Sequence, residues 1–336
     1  MRAQRDLGMS STRDVVALAT GPFGVLSHDE LGEIADTLAD PLRPVDAVSL
    51  SSTCKGLRMP LWAGLAALEQ LHGKARKLCH KVGMSPTELA TTNTLSWSDK
   101  LLTAEDVGTV SMLLPWLPRV KFLFLGCPDA SSMRALCEGM ARDAAPQLEL
   151  IHLAHRIDSA GALSLAAALR TGALPKLRHV WLEFGLVDSQ GMAALSASLR
   201  MLPSLTNLHF WDIGDEHVGL LLANLSANDF EVLEGIRFDS SNLTDVGCRE
   251  LIAALDARVL PAILWFNFSK AVDISSAVSR KLTEALVRAH ARQQHITLAL
   301  VPYEEEEFQL HLDELEERLH VDPASEFHLL GDLELE

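Results

Sequence analysis

Leu177-Arg178-His179-Val180-Trp181-Leu182-Glu183-Phe184 is followed, 28 residues on, by Leu205-Thr206-Asn207-Leu208-His209-Phe210-Trp211-Asp212, and both stretches carry one pattern: an apolar anchor with two more apolar residues three and five positions later. The pattern returns as Leu148/Ile151/Leu153, Leu233/Ile236/Phe238 and Ile263/Phe266/Phe268. Its anchors, Val120, Leu148, Leu177, Leu205, Leu233 and Ile263, are 28, 29, 28, 28 and 30 residues apart. Apolar residues two apart mark a short strand with one buried face.

The second half of each unit changes period. In Ser159–Leu169 and Ser189–Leu199 the apolar residues recur every three or four positions, and Asp158 and Asp188 precede them as N-caps. One strand and one amphipathic helix per unit cannot bury their leucines alone. Stacking the units does bury them, which predicts an α/β solenoid with a curved parallel sheet inside and helices outside. Strands are expected near residues 120, 148, 177, 205, 233 and 263, with a last one across His295–Val301.

The repeat resembles the leucine-rich repeats of the ribonuclease-inhibitor type. That family favours an Asn just after the strand. Asn242 fits the position, whereas Arg156 and Gly185 stand there in other units.

Strand residues between the buried ones must point to the concave side. Unit by unit these are Phe122 and Phe124; Leu150 and His152; His179, Trp181 and Glu183; Asn207, His209 and Trp211; Arg237 and Asp239; and Trp265 and Asn267. Outward aromatics on adjacent strands make a contact platform, because such rings dominate binding energy where they are desolvated. The expected partner is a protein or peptide on this face, with Trp181 and Trp211 approaching each other beside His179 and His209. The other reading has the rings packing sideways on their neighbours or under a flanking loop.

The chain has 336 residues, 48% of them hydrophobic, and a net charge of −16. Thirteen acids against Arg318 between residues 302 and 336, from Glu304–Glu307 to Glu336, place −12 of that charge in the C-terminal segment. Clustered Lys and Arg for phosphate contacts are missing, which argues against nucleic acid. The acidic segment reads as a solvated tail, or as an end cap through Phe308, Leu312, Leu315 and Leu319 at helical spacing. No apolar run has the length to span a bilayer, so no membrane partner is expected. Five cysteines, odd in number and unpaired in spacing, fit a reducing compartment, cytoplasmic or nuclear.

Ahead of the repeats, residues 23 to about 115 read as short helices. Ser27 with Glu30 forms a capping box signal, repeated at Ser85-Pro86-Thr87-Glu88 and at Thr103-Ala104-Glu105-Asp106. The first part resembles an F-box: Leu26, Leu31, Ile34 and Leu38, a break at Asp40-Pro41, Asp46-Ala47-Val48, and Ser51-Ser52-Thr53-Cys54-Lys55-Gly56-Leu57-Arg58, with Ser27 where the family has Pro. The resemblance implies docking on a Skp-type adaptor of a cullin ubiquitin ligase through Leu26, Leu31, Ile34, Leu38, Val48 and Leu57. The same helices also suit a structural cap on the solenoid. The expected organisation is a flexible start at 1–22, an F-box-like module at 23–66, a helical linker or cap at 67–115, the solenoid at 116–301 and the acidic segment at 302–336.

Catalytic signatures are scarce: neither a phosphate-cradling glycine loop, nor a nucleophile elbow, nor a cysteine pair at zinc spacing is found. His152-x-x-His155 and Cys79-His80 lack the second pair that a metal site needs. The expectation is a non-enzymatic interaction protein without cofactor or metal. Repeats followed by an acidic segment also resemble the GTPase-activating proteins of Ran, although the activating Arg of that family has no match here.

Overall fold

The computed structural model describes residue 34 and residues 38–53, 62–127, 129–140, 145–269 and 274–290. Within them the chain alternates helix and strand. Helices α1 (Val45–Thr53), α2 (Trp62–Val82) and α3 (Pro86–Thr91) lead into β1 (Thr94–Trp97). Then follow α4 (Ala104–Leu113), β2 (Phe122–Gly126), α5 (Ala130–Met140), β3 (Leu150–Ile157), α6 (Ser159–Leu169), β4 (His179–Phe184) and α7 (Ser189–Leu199). The series closes with β5 (Asn207–Trp211), α8 (Asp215–Leu222), β6 (Gly235–Asp239), α9 (Asp245–Asp256), β7 (Trp265–Ser269) and α10 (Ser276–His290).

The seven described strands form one parallel sheet in chain order, β1 to β7. From α4 onward each helix packs on the next. The result is a solenoid-like α/β fold. Helices about 10 Å across, stacked beside strands about 4.8 Å apart, bend such an array with the strands on the inner side.

Strands β2 to β7 each begin two residues after the anchor identified in the sequence, and the anchors themselves are buried. One strand lies where short helices were expected. β1 belongs to a unit whose anchor position, 28 residues before Val120, is Thr92, so the apolar triplet is incomplete there. Leu95 and Trp97 still face inward and are buried, because β1 pairs with β2 in the register that joins every later pair. The expected strand at 295–301, the capping box at Ser27 and the acidic segment lie outside the described residues.

A single apolar core runs from Leu42 to Leu286 between the sheet and the helices, and it includes Leu182, Leu208 and Phe210. Leu42, Ala75, Leu78 and Cys79 belong to it, so the helices before β1 share the core of the repeats. His72 Nδ1 also lies 2.7 Å from the carbonyl oxygen of Pro41.

Helix starts follow the capping residues. Ser85 and Glu88 form a complete capping box, as do Thr103 and Asp106. The Asp158 and Asp188 carboxylates accept from Gly161 N and Gly191 N at 2.8 and 2.7 Å. Asn242 is exposed and contributes its backbone N–H to Ile213 O, so it is not a buried ladder residue. Neighbouring units are tied instead through the first helical positions. Ser159 Oγ accepts from Asp188 N at 2.8 Å. Asp215 accepts from Thr244 N, Thr244 Oγ1 and Gly247 N at 2.9, 2.6 and 2.9 Å. Asp245 accepts from Ser275 N and Ser275 Oγ, both at 2.8 Å. Between α7 and α8, Gly214 N donates to His217 Nδ1, which leaves His217 Nε2 to donate to Val187 O at 3.0 Å. These bonds satisfy backbone groups that a helix start leaves open.

Candidate binding face

Alternation along the strands sends Leu95, Trp97, Leu123, Leu125, Ile151, Leu153, Val180, Leu182, Leu208, Phe210, Ile236, Phe238 and Phe266 toward the helices, and the side chains between them to the open face. Register aligns that face in rows. Phe124, His152, Trp181, His209, Arg237 and Asn267 are successive neighbours across β2 to β7. Glu183, Trp211 and Asp239 form a second row across β4 to β6. Phe122, Leu150, His179, Asn207, Gly235 and Trp265 form the third. β1 extends the face by Thr94 and Ser96, which the anchor pattern did not include.

The rings make one continuous contact network. Phe124 meets His152 and Trp181 edge to face, with centroids 5.7 and 6.0 Å apart. Trp181 and Trp211 approach at 6.5 Å and 66°, and the His209 ring stacks on Trp211 at 3.5 Å. His152 stacks on Trp211 at 5.3 Å. The rings are wider than the strand spacing, so each leans on its neighbours, and such pairs contribute about 0.5–1.5 kcal/mol beyond the area they bury.

That packing corrects the expectation of an exposed platform. Phe122, Phe124, Leu150 and Trp181 form an apolar cluster of their own, and Trp181 keeps 7% of its surface. His209 and Asp239 are buried as well. His152, His179, Glu183, Trp211, Arg237 and Trp265 are half-buried and line the part of the face that remains open. His179 lies one row from Trp181 and two from Trp211, and it makes none of the described ring contacts with them.

Polar groups gather on β5 to β7. Asp239 Oδ2 accepts from Arg237 Nε at 2.8 Å and lies 2.5 Å from His209 Nε2, while Asp239 Oδ1 and Asn267 Oδ1 are buried without a hydrogen bond to any described residue. Burial pushes the His209 imidazole down to about 4, against the pull of Asp239, so at neutral pH it is uncharged and Nε2 carries the proton it donates. Burial alone would raise the Asp239 carboxyl. The hydrogen bonds from His209 and Arg237 and the Arg237 charge outweigh that and hold it below the ordinary carboxylate range. Burial likewise lowers His152 and His179 to about 4, helped in turn by His209 and by Arg178. At the rim an ion pair from Arg156 Nη2 to Asp212 Oδ2, 2.8 Å, bridges the ends of β3 and β5. A register irregularity in β3 between Leu153 and Ile157 accompanies it.

Among the six residues expected to meet an adaptor, Leu26, Leu31 and Leu57 lie outside the described residues. Ile34 and Leu38 are helical and half-buried. Val48 is 54% exposed on α1 and Val45, one turn away, is 69% exposed, while Ala47 and Leu50 on the same helix are buried. Among the described residues no group of three or more His, Cys, Asp and Glu is arranged to hold a metal, and no helix is long and apolar enough to cross a membrane.

No family model matches the chain, and no curated protein is significantly similar to it.

Proposed function

We propose that this chain is a non-enzymatic recognition module of the leucine-rich-repeat type, an F-box-like substrate receptor that holds a protein partner on the open face of its sheet. The observation that carries the recognition half is the unbroken run of rings over β2 to β5, from Phe124 through His152 and Trp181 to Trp211 and His209. Interlocked rings keep one shape. A preordered apolar surface loses little side-chain entropy when a partner covers it. Trp211, Trp265, His152 and His179 supply the accessible portion, with Glu183 and Arg237 as polar neighbours.

The adaptor half draws support from α1, whose Val45 and Val48 turn an apolar pair outward on consecutive helical turns while Ala47 and Leu50 anchor the opposite side. Co-purification of the full chain with a Skp-type adaptor tests it. Retention by the parent chain and loss in Val48→Glu is expected. No adaptor binding by the parent would leave the recognition reading and remove the ubiquitin-ligase one. The face is tested separately: a partner held by the parent should be lost from Trp211→Ala, and a partner indifferent to Trp211, Trp265 and His152 would place the recognition surface elsewhere.

A further inference from the structure

Across the open face, Trp211 of β5 stands between two carboxylates, Glu183 on β4 and Asp239 on β6, and Arg237 and Asn267 are neighbours in the next row. The shorter side chains lie deepest. Asp239 keeps 7% of its side-chain surface and Asn267 is buried, whereas the longer Trp211 and Arg237 beside them are half-buried. What the deep positions present is acceptors. Asp239 Oδ2 faces His209 Nε2 and Arg237 Nε, but Asp239 Oδ1 and Asn267 Oδ1 meet no donor among the described residues. Burial works against the charge of Asp239, and the bonds from His209 and Arg237 outweigh it, so the carboxylate is ionised at neutral pH.

A partner that covers this part of the face must bring donors, because acceptors sealed under an apolar group lose water and gain nothing. The donors must also reach down. A long stem ending in a cation passes Trp211 and Arg237 while its methylene groups lie along the indole. Charge points the same way: Glu183 and Asp239 outnumber Arg237 on the open face of β4 to β6, and the Arg156–Asp212 pair at the rim cancels itself. The net charge of −16 steers a basic ligand toward the molecule as a whole. We infer that the open face takes a basic side chain of its partner, arginine or lysine, with the cation at Asp239 Oδ1 and Asn267 Oδ1 and the stem against Trp211. A basic selectivity of this kind presupposes that the open face is the recognition surface, and it adds which partners that surface selects. Arginine is the better fit of the two, since the N–H groups of its planar fork can serve two acceptors on neighbouring strands.

Nuclear magnetic resonance on the full chain tests this with Nα-acetyl-arginine amide, titrated to roughly 50 mM at constant ionic strength, a range in which single-residue contacts register. The reporters are the indole N–H signals of Trp211, identified by its loss in Trp211→Phe, and of Trp97, which faces the core. Saturable movement of the Trp211 signal while Trp97 stays still is the expected result. The citrulline analogue, similar in shape but uncharged, should bind about tenfold more weakly. Asp239→Asn should weaken the arginine probe to a similar extent. The comparison of arginine with citrulline on the parent chain stands even where that variant fails to fold. Equal affinity for arginine and citrulline would overturn the basic selectivity while leaving the face as a recognition surface. A Trp211 signal that ignores arginine, or an arginine affinity unchanged in a folded Asp239→Asn protein, would overturn it as well. Whether the face holds a partner at all is decided separately, by partner loss in Trp211→Ala.

Discussion

The indole of Trp265 lies across Gly235 on the neighbouring strand, in the space that a Cβ at Gly235 would occupy. The glycine is therefore there for closeness of approach and not for an unusual backbone angle. Gly235→Ala forces the indole aside and should destabilise the protein by about 1–3 kcal/mol, the usual range for overpacking. In Trp265→Ala the added methyl has room, so the double variant should be about as stable as Trp265→Ala alone. Urea unfolding of the three variants checks this. A Gly235→Ala protein with parental stability would mean that the ring lies elsewhere.

Trp181 and Trp211 should behave differently, although both belong to the open face. Trp181 is buried in the cluster with Phe122, Phe124 and Leu150, so Trp181→Ala should cost about 3–5 kcal/mol, as for other buried aromatics. Trp211 is half-buried at the border of that cluster, and its removal should cost distinctly less while weakening a bound partner by about 2 kcal/mol or more. Thermal unfolding and partner titration of each single variant separate the two. Equal losses of stability would contradict the burial difference.

Acid should weaken the fold before the carboxylates titrate. His152, His179 and His209 are held down to about 4, whereas an ordinary histidine titrates at 6.5. Above 6.5 both folded and unfolded chains carry these rings neutral. As the pH falls from 6.5 toward 4 the unfolded chain takes up protons that the folded chain refuses. Stability therefore declines through that window, by up to about 1.4 kcal/mol per pH unit for each ring. Unfolding midpoints measured between pH 7 and about 4 should fall steadily, and His209→Gln should flatten the slope. A constant midpoint over that range would show that the rings ionise freely in the folded protein.

Asp215 caps its neighbour more than itself. Asp215→Ala removes acceptors from Thr244 N, Thr244 Oγ1 and Gly247 N, and should lower stability by about 1–3 kcal/mol. Hydrogen exchange should rise at the start of α9 more than at the start of α8. Faster exchange confined to α8 would refute the assignment.

The strands were legible because the anchor and the two apolar residues behind it recur at nearly constant spacing, and side-chain parity on a strand admits only two solutions. Leu182 and Phe210 inward, Trp181 and Trp211 outward, follow from that parity. Thr92 hid the first described unit, since a polar anchor removes the strongest element of the pattern while pairing with β2 still builds the strand. Parity gives direction and not cover, which is why Trp181, placed on the correct side, turned out buried. The ties between units were illegible for another reason. Ser159, Asp215 and Asp245 look like ordinary first-turn residues, and only the stacking reveals that they accept from the following unit.

The ties made by the first turn of each later unit point one way. At the four junctions from α6 to α10 an N–H of the later unit donates to an acceptor of the earlier one, while Ser159 Oγ donates to Leu186 O, and Ser196 Oγ and Arg200 Nη2 to Leu221 O, in the opposite sense. Shortening the array from its C-terminal side would bare a serine hydroxyl, a carboxylate or a carbonyl oxygen, groups that water solvates readily. Shortening it from the N-terminal side would strip the acceptor from the donors at the next helix start. The two ends are thus unequal in what they tolerate.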